Sequence, residues 1–223
     1  MIDIADAVRR LNKLDVCALS DAMDKLGLVG GVSGLDQLAT TQRIAGRVVT
    51  CRLVAKDLAP AASGPPRHLG TTAIDNATAG DIIVVEQRSG IEAGAWGGIL
   101  SLGAHLKGVG GVICDGPVRD LDEARELGFP VYARALTART ARGRIAEVYN
   151  NGPVRIGDVT VNAGDYVVAD ASGVVFVAAK HIQAVLDAAE GIVEREARMA
   201  RALREGAPIH AVMGEAYEQM LRK

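Results

Sequence analysis

The stretch GVGGVICDGPVRDLDEARELGFPVYARAL, residues 108–136, decides the fold. VGGVICD (109–115) is a glycine-spaced apolar run of the kind that forms a buried strand. A turn at Asp115-Gly116-Pro117 follows. RDLDEARELG (119–128) reads as a helix with a glycine stop, and FPVYARAL (129–136) as the strand after it. Strand, helix and strand in immediate succession argue for an α/β centre.

The same alternation extends upstream. AWGGILSLGAHLKG (95–108) predicts a helix unusually rich in small residues, and DIIVVE (81–86) a strand. TTAIDNATAG (71–80) predicts a short helix with Gly80 after it. RIAGRVVTCRLVA (43–55) is β-branched and alternating enough for a strand. LDVCALSDAMDKLG (14–27) has apolar residues at 16, 19, 23 and 26 and ends in Gly27, an amphipathic helix. Between these, GLVGGVSGLDQL (27–38) reads as a loop. DLAPAASGPPRHLG (57–70), rich in Pro, Gly and Ala, reads as an excursion or a loop over a site. After residue 140 the texture changes to short strands split by Asn-Gly, Gly-Asp, Ala-Gly-Asp and Ser-Gly, which predicts antiparallel β. From Lys180 a helical segment runs to Gly206, and its last part is heavily charged.

The bulk properties exclude several classes. The 223 residues suit one well-filled core, and no repeat or composition break divides them. Aromatics are 3%, so there is no stacking platform for single-stranded nucleic acid. The net charge of -2 leaves no electrostatic footprint for nucleic acid or an anionic membrane. No apolar run approaches the roughly 20 residues that cross a bilayer. Cys17, Cys51 and Cys114 lack metal-type spacing. Cys51 and Cys114 lie in strand-like runs as small buried residues, and a reducing cytoplasm fits them best. No nucleotide-loop, zincin or nucleophile-elbow motif is present.

Chemistry concentrates where the strand 109–115 ends, the place where α/β structures gather ligands. Two readings compete there. In the first, Asp120 caps the following helix, Glu123 completes a capping box, and Arg119 is a surface residue. In the second, Arg119 grips a carboxylate while Asp120 holds a hard divalent cation, so that together they seat a 2-oxo acid. Gly97 and Gly98, at the predicted start of the helix 95–108, support the second. Helix N-termini bind anions through free N–H groups, and glycine lets a ligand approach closely. The four histidines are scattered, and His68, in the Pro-rich loop, reads as a loop residue rather than as one that lines the site. No Lys in a strand run suggests Schiff-base chemistry.

These segments resemble the regulator-of-ribonuclease-activity-A-like family, which includes aldolases of 4-hydroxy-4-methyl-2-oxoglutarate and 4-carboxy-4-hydroxy-2-oxoadipate. GVGGVICDGPVRD is similar to its G-x-x-G-x-V-x-D-G-x-x-R-D signature. LSDAMDKLG, TAIDNATAGDIIVVE and GDVTVNAGDYVVADASGVVFV resemble three further family segments, in the right order over about residues 15–206. The resemblance implies a single domain over 1–223 with a compact β/β/α swivel-like core and antiparallel C-terminal strands. It implies ring-shaped trimers, sometimes stacked into hexamers, with residues 180–223 as a helical arm against a neighbouring subunit. It implies a class II aldolase using Mg²⁺ or Mn²⁺. Asp120 would be the direct metal ligand. Arg119 and the N–H groups of Ile99 and Leu100, beyond Gly97 and Gly98, would hold the pyruvyl carboxylate. Glu196, or else Glu194, from a neighbouring subunit would hold water on the metal.

One position departs from the pattern. Many family aldolases carry an acid after the glycine of the helix-start motif, and here Gly98 stands in its place. Glu92 is the candidate replacement. Oxaloacetate decarboxylation, another enolate chemistry such as isomerisation or hydration, and a non-catalytic ribonuclease regulator are the alternatives to the aldolase.

Overall fold

A computed structural model describes residues 2–60 and 67–214. Part of the Pro-rich loop (61–66) and the end of the expected arm (215–223) lie outside them. Two helices open the chain, α1 (Ile4–Leu11) and α2 (Val16–Leu26), followed by the two-residue strands β1 (Gly31–Val32) and β2 (Asp36–Gln37). The α/β centre comprises β3 (Ile44–Ala55), α3 (Thr71–Asn76), β4 (Ile82–Gln87), α4 (Gly98–Leu106), β5 (Gly111–Val118), α5 (Leu121–Glu126) and β6 (Val131–Leu136). Then come β7 (Ile145–Asn150), the hairpin β8 (Val154–Ile156) and β9 (Val159–Val161), β10 (Tyr166–Asp170), β11 (Gly173–Val177), α6 (Ile182–Arg204) and α7 (Ile209–Val212).

Nine strands form one sheet in the order β1-β11-β10-β3-β4-β5-β6-β2, with β7 also paired to β3. The strands β3, β4, β5 and β6 run parallel, as their helical connections require, and the rest pair antiparallel. The long β3 joins the two regimes. Ile44–Arg47 pair with β10, Val48–Leu53 with β4, and Cys51–Ala55 with β7. Alternation along the strands sorts the core into layers. Val49, Cys51, Val85 and Cys114 face α3, α4 and α5. Val48, Val84, Ile113 and Tyr132 face the β8–β9 hairpin. Tyr166, Val168, Val175 and Val177 face α1, α2 and α6. This is a mixed α/β core, a central sheet flanked by helices, with a C-terminal helical segment.

The structure corrects three details. Residues 115–117 are not a turn: β5 runs through them to Val118, and its pairing with β6 slips between Cys114 and Pro117. A side chain at Gly116 would come within 2.7 Å of the Gln87 carbonyl, and Pro117 has no N–H to lose at such an irregularity. Residues 27–38 contain two edge strands, too short to leave a periodic signal. The segment from residue 180 is not an arm from its start. Ile182, Val185, Leu186, Ala189 and Ile192 are buried in the cluster that holds α2, whereas from Val193 to Arg204 no residue of α6 is buried. Among the described residues, no helix is long and apolar enough to cross a membrane.

Candidate active site

The site is assembled by stitching residues 94–98 to the end of β5. Ala95 N–H donates to the Pro117 carbonyl (2.9 Å) and Arg119 N–H to the Trp96 carbonyl (3.0 Å). Gly94 N–H reaches the Arg139 carbonyl (2.9 Å). Buried Trp96 anchors this segment, its Nε1 donating to Ser101 Oγ (3.0 Å) inside α4. These bonds set the N-terminus of α4 beside Arg119 and Asp120. Gly97, at the N-cap, has no side chain to cap that end, so the first-turn N–H groups of α4 lack an intrahelical partner.

Asp120 adopts the left-handed conformation (φ 54°, ψ 42°). It sits at the N-cap position of α5, yet its side chain makes no capping bond. The capping-box reading is therefore wrong: the left-handed backbone swings the carboxylate away from its own helix. Asp120 Oδ2 instead accepts from Gly98 N–H at 3.2 Å, and both carboxylate oxygens lie 3.1 Å from Arg119 Nε. The two side chains are 36% and 31% exposed, so this pair is reachable from solvent.

Glycines make the approach possible. A methyl group at Gly94 would fall 2.8 Å from Arg119 Cγ, and one at Gly97 would fall 2.7 Å from Asp120 Oδ2. At Gly98 the volume of a side chain is already taken by the Glu123 carboxylate. Glu123 is the residue that sequence reasoning missed. It lies three residues after Asp120, in the first turn of α5, and its carboxylate reaches the start of α4. The same spacing had suggested a capping box.

A cleft of about 450 Å³ opens here. Gly97, Gly98, Ile99, Leu100, Arg119 and Asp120 all line it. His68, Leu69 and Thr71 form a second wall, and Thr140, Ala141 and Arg142 a third. The second wall is tied down by Glu147, whose Oε2 accepts from Gly70 N–H at 2.7 Å. A neighbouring cavity of about 410 Å³ shares Arg119 and Asp120 and includes Glu123.

The other acids lie elsewhere. Glu92 faces a different cavity, where it pairs with Arg139 (3.2 Å) and accepts from Thr137 Oγ1 (2.9 Å), so it does not replace the acid missing at Gly98. Glu194 and Glu196 are exposed on α6 and are not part of their own chain's cleft. Partial burial, then the charges of Asp15 and Asp21, push the Glu196 carboxyl above its ordinary range. His105 is exposed on α4, while Cys51 and Cys114 are buried in the sheet. Burial is the main cause raising both thiols, which makes them inert packing groups.

Among the described residues, no group of three or more His, Cys, Asp or Glu side chains could hold a metal. Asp120 is the one carboxylate among the described residues lining the cleft, Glu123 lines the neighbouring cavity, and both carboxylates lie against Gly97 and Gly98. Such a pair fits Mg²⁺, which takes one or two carboxylates and keeps several waters.

Residues 16–176 match the RraA-like family described as Aldolase/RraA. The chain belongs to this family. Protein DlpA of Legionella pneumophila is 25% identical over 213 residues, covering 95% of this chain and 34% of DlpA. The chain thus spans about a third of that relative's length. A Halalkalibacterium halodurans protein provisionally named 4-hydroxy-4-methyl-2-oxoglutarate aldolase is 26% identical over 171 residues, 76% of this chain and 75% of that one. RraAS2 of Streptomyces coelicolor, described as an unusual member of the RNase ES inhibitor RraA protein family, superposes with a TM-score of 0.77. It is 25% identical and covers 90% of this chain and 98% of its own. The Aldolase/RraA family thus includes both aldolase-named and ribonuclease-inhibitor relatives.

Proposed function

We propose that this Aldolase/RraA chain is an enolate-forming 2-oxo-acid lyase whose reaction is cleavage of a 4-hydroxy-2-oxo acid, with oxaloacetate decarboxylation as the related activity. The observation that carries this reading is the Glu123 carboxylate in the side-chain space of Gly98, which restores a second acid beside Asp120. In the bound substrate, the Ile99 and Leu100 N–H groups and the Arg119 guanidinium hold the carboxylate of the 2-oxo acid. Asp120 and Glu123 would hold Mg²⁺ or Mn²⁺, which supplies Lewis-acid polarisation of the 2-keto oxygen. Arg119 balances the negative charge that grows as the C3–C4 bond breaks. The electron pair of that bond passes into the enolate while the 4-hydroxyl gives its proton to a water molecule in the solvent-open cleft and becomes the carbonyl of the second product. Protonation at C3 then gives pyruvate. Glu196 of a neighbouring copy in a trimer or hexamer would complete the set of acids.

The test is pyruvate release from 4-hydroxy-4-methyl-2-oxoglutarate and from oxaloacetate, with Mg²⁺ or Mn²⁺ and then with chelator. The expected result is metal-dependent pyruvate, reduced at least about 100-fold in Asp120→Asn. Pyruvate from oxaloacetate alone would leave the decarboxylase and remove the aldolase.

A second reading, a ribonuclease-binding regulator, draws on RraAS2 and on one surface. Ile99, Leu102 and Leu106 are exposed along one face of α4, with Ile99 at 80% and Leu106 at 77%. No turnover of either acid, with no heat of metal binding in calorimetry, would favour that reading.

A further inference from the structure

We infer that Glu147 is a positioning residue that sets the width of the cleft, holding the wall of residues 68–71 at a fixed distance from α4. Glu147 lies on β7 and reaches the wall because of an irregularity in the sheet. Cys51 pairs with Asn150, Arg52 with Tyr149 and Leu53 with Glu147, so Val148 is an extra residue on β7 with no partner on β3. A bulge of this kind re-aims the side chains beside it. In a regular strand, residues three apart face opposite sides of the sheet. Here Glu147 and Asn150 share one side, that of the buried Cys51 and Leu53, and the Asn150 amide donates to Glu147 Oε1.

The other carboxylate oxygen holds the wall. Glu147 Oε2 accepts from Gly70 N–H at 2.7 Å and from the Cys51 thiol at 3.5 Å. Gly70 is left-handed (φ 79°), and a methyl group there would fall 3.2 Å from Leu100 Cδ1 and 3.3 Å from the Trp96 ring. The wall thus stands too close to the α4 side of the cleft for an ordinary side chain at this position. The third wall hangs from the same strand, since Ile145 N–H, at the start of β7, donates to the Ala141 carbonyl at 3.1 Å. One carboxylate therefore ties the second wall to the strand that carries the third. What Gly70 N–H requires is an acceptor oxygen at that distance. A glutamine supplies it, and an aspartate, shorter by one carbon–carbon bond of about 1.5 Å, does not.

Trp96 is the one tryptophan of the chain, and it is buried beside Gly70 in the lining of the cleft, so its emission reads the wall without any turnover. In Glu147→Asp the wall is expected to part from α4. The emission then moves to longer wavelength and acrylamide quenches it more than in the intact protein. KM for 4-hydroxy-4-methyl-2-oxoglutarate rises about tenfold, while kcat stays within about threefold. Glu147→Gln is expected to restore the intact emission and most of the affinity. Unaltered emission in Glu147→Asp, an equal change in both variants, or a fall in kcat with KM unchanged would overturn the inference. So would a Glu147→Asp chain that no longer folds, since Glu147 would then hold up the sheet rather than the cleft. The kinetic readout rests on the lyase reading, and the emission does not. If the 2-oxo acid is not turned over, that reading fails, and the emission of the two variants still decides the role of Glu147.

Discussion

Asp120 holds a conformation that residues with a side chain rarely adopt, and Asp is one of the few that tolerate it. This dictates how it is probed. Asp120→Asn keeps both the shape and the left-handed tolerance, so it removes charge alone. Asp120→Ala adds backbone strain of about 1 kcal/mol to the loss of charge. Thermal melts should therefore separate the two by roughly 2–4 °C, with Asn the more stable, at equal loss of activity. A reversed order would mean that the αL turn is not held in solution. Much of this residue-level picture was legible. Arg119, Asp120 and the Gly97–Leu100 segment stand out because glycine and charge at the end of a buried strand have few structural uses. Glu123 was hidden because a carboxylate three residues after Asp120 serves a capping box equally well. Only the backbone angle at Asp120 separates the two roles, and no spacing encodes it.

At the level of elements, the start of α4 depends on Trp96 and Ser101. Ser101 Oγ accepts from the buried indole and donates to the Gly97 carbonyl at 3.2 Å. Ser101→Ala leaves the indole N–H unpaired at a cost of about 2 kcal/mol, or roughly 4–8 °C in melting temperature. Because Gly97 lines the site, substrate affinity should weaken in the same variant. A stable variant with intact affinity would disconnect α4 anchoring from binding. A second device links β5 to the β8–β9 hairpin. Buried Asp115 pairs with Arg134 at 2.7 Å and accepts from Gly157 N–H at 2.7 Å. Asp115→Ala should cost about 3 kcal/mol, read as a lower denaturant midpoint. The elements that sequence made plain are those with room for a full period, such as β3, α2 and β5. The two-residue β1 and β2 are fixed by pairing with β11 and β6, partners far away in the chain. The passage of β5 through Asp115-Gly116-Pro117 is likewise a tertiary outcome, since that tripeptide by itself favours a turn.

Across the whole molecule, acids on α6 act in opposite senses. Arg10 of α1 binds Asp187 at 2.6 Å and Glu190 at 2.7 Å, and its hydrogen bond holds Asp187 below the usual carboxylate range. That contribution is present above the unfolded carboxylate pKa and is lost as pH falls through the lower folded value. Glu196 and Asp21 are pushed up, chiefly by burial and then by neighbouring acids. Their contribution is present below the unfolded value and is lost as pH rises through the raised folded value. Neutralising Glu196 should thus stabilise the chain near pH 7. Glu196→Gln is expected to raise the melting temperature by about 1–2 °C there, with the gain vanishing at acid pH. A gain that persists in acid would refute the repulsion. If Glu196 has the role proposed for it, the same variant should also lower turnover.

The most direct test of the account is an exchange of acids across the cleft. Glu123→Ala should lower kcat/KM by one to two decades, since a hydrogen bond to a charged group is worth roughly 1.5–3 kcal/mol. Gly98→Asp alone should gain nothing, because its side chain takes the space of the Glu123 carboxylate, the end of an exposed flexible side chain that must swing aside. The double variant Gly98→Asp with Glu123→Ala puts a carboxylate back into that space and should recover at least tenfold over Glu123→Ala. Full activity in Glu123→Ala would contradict the account, as would a double variant no better than the single.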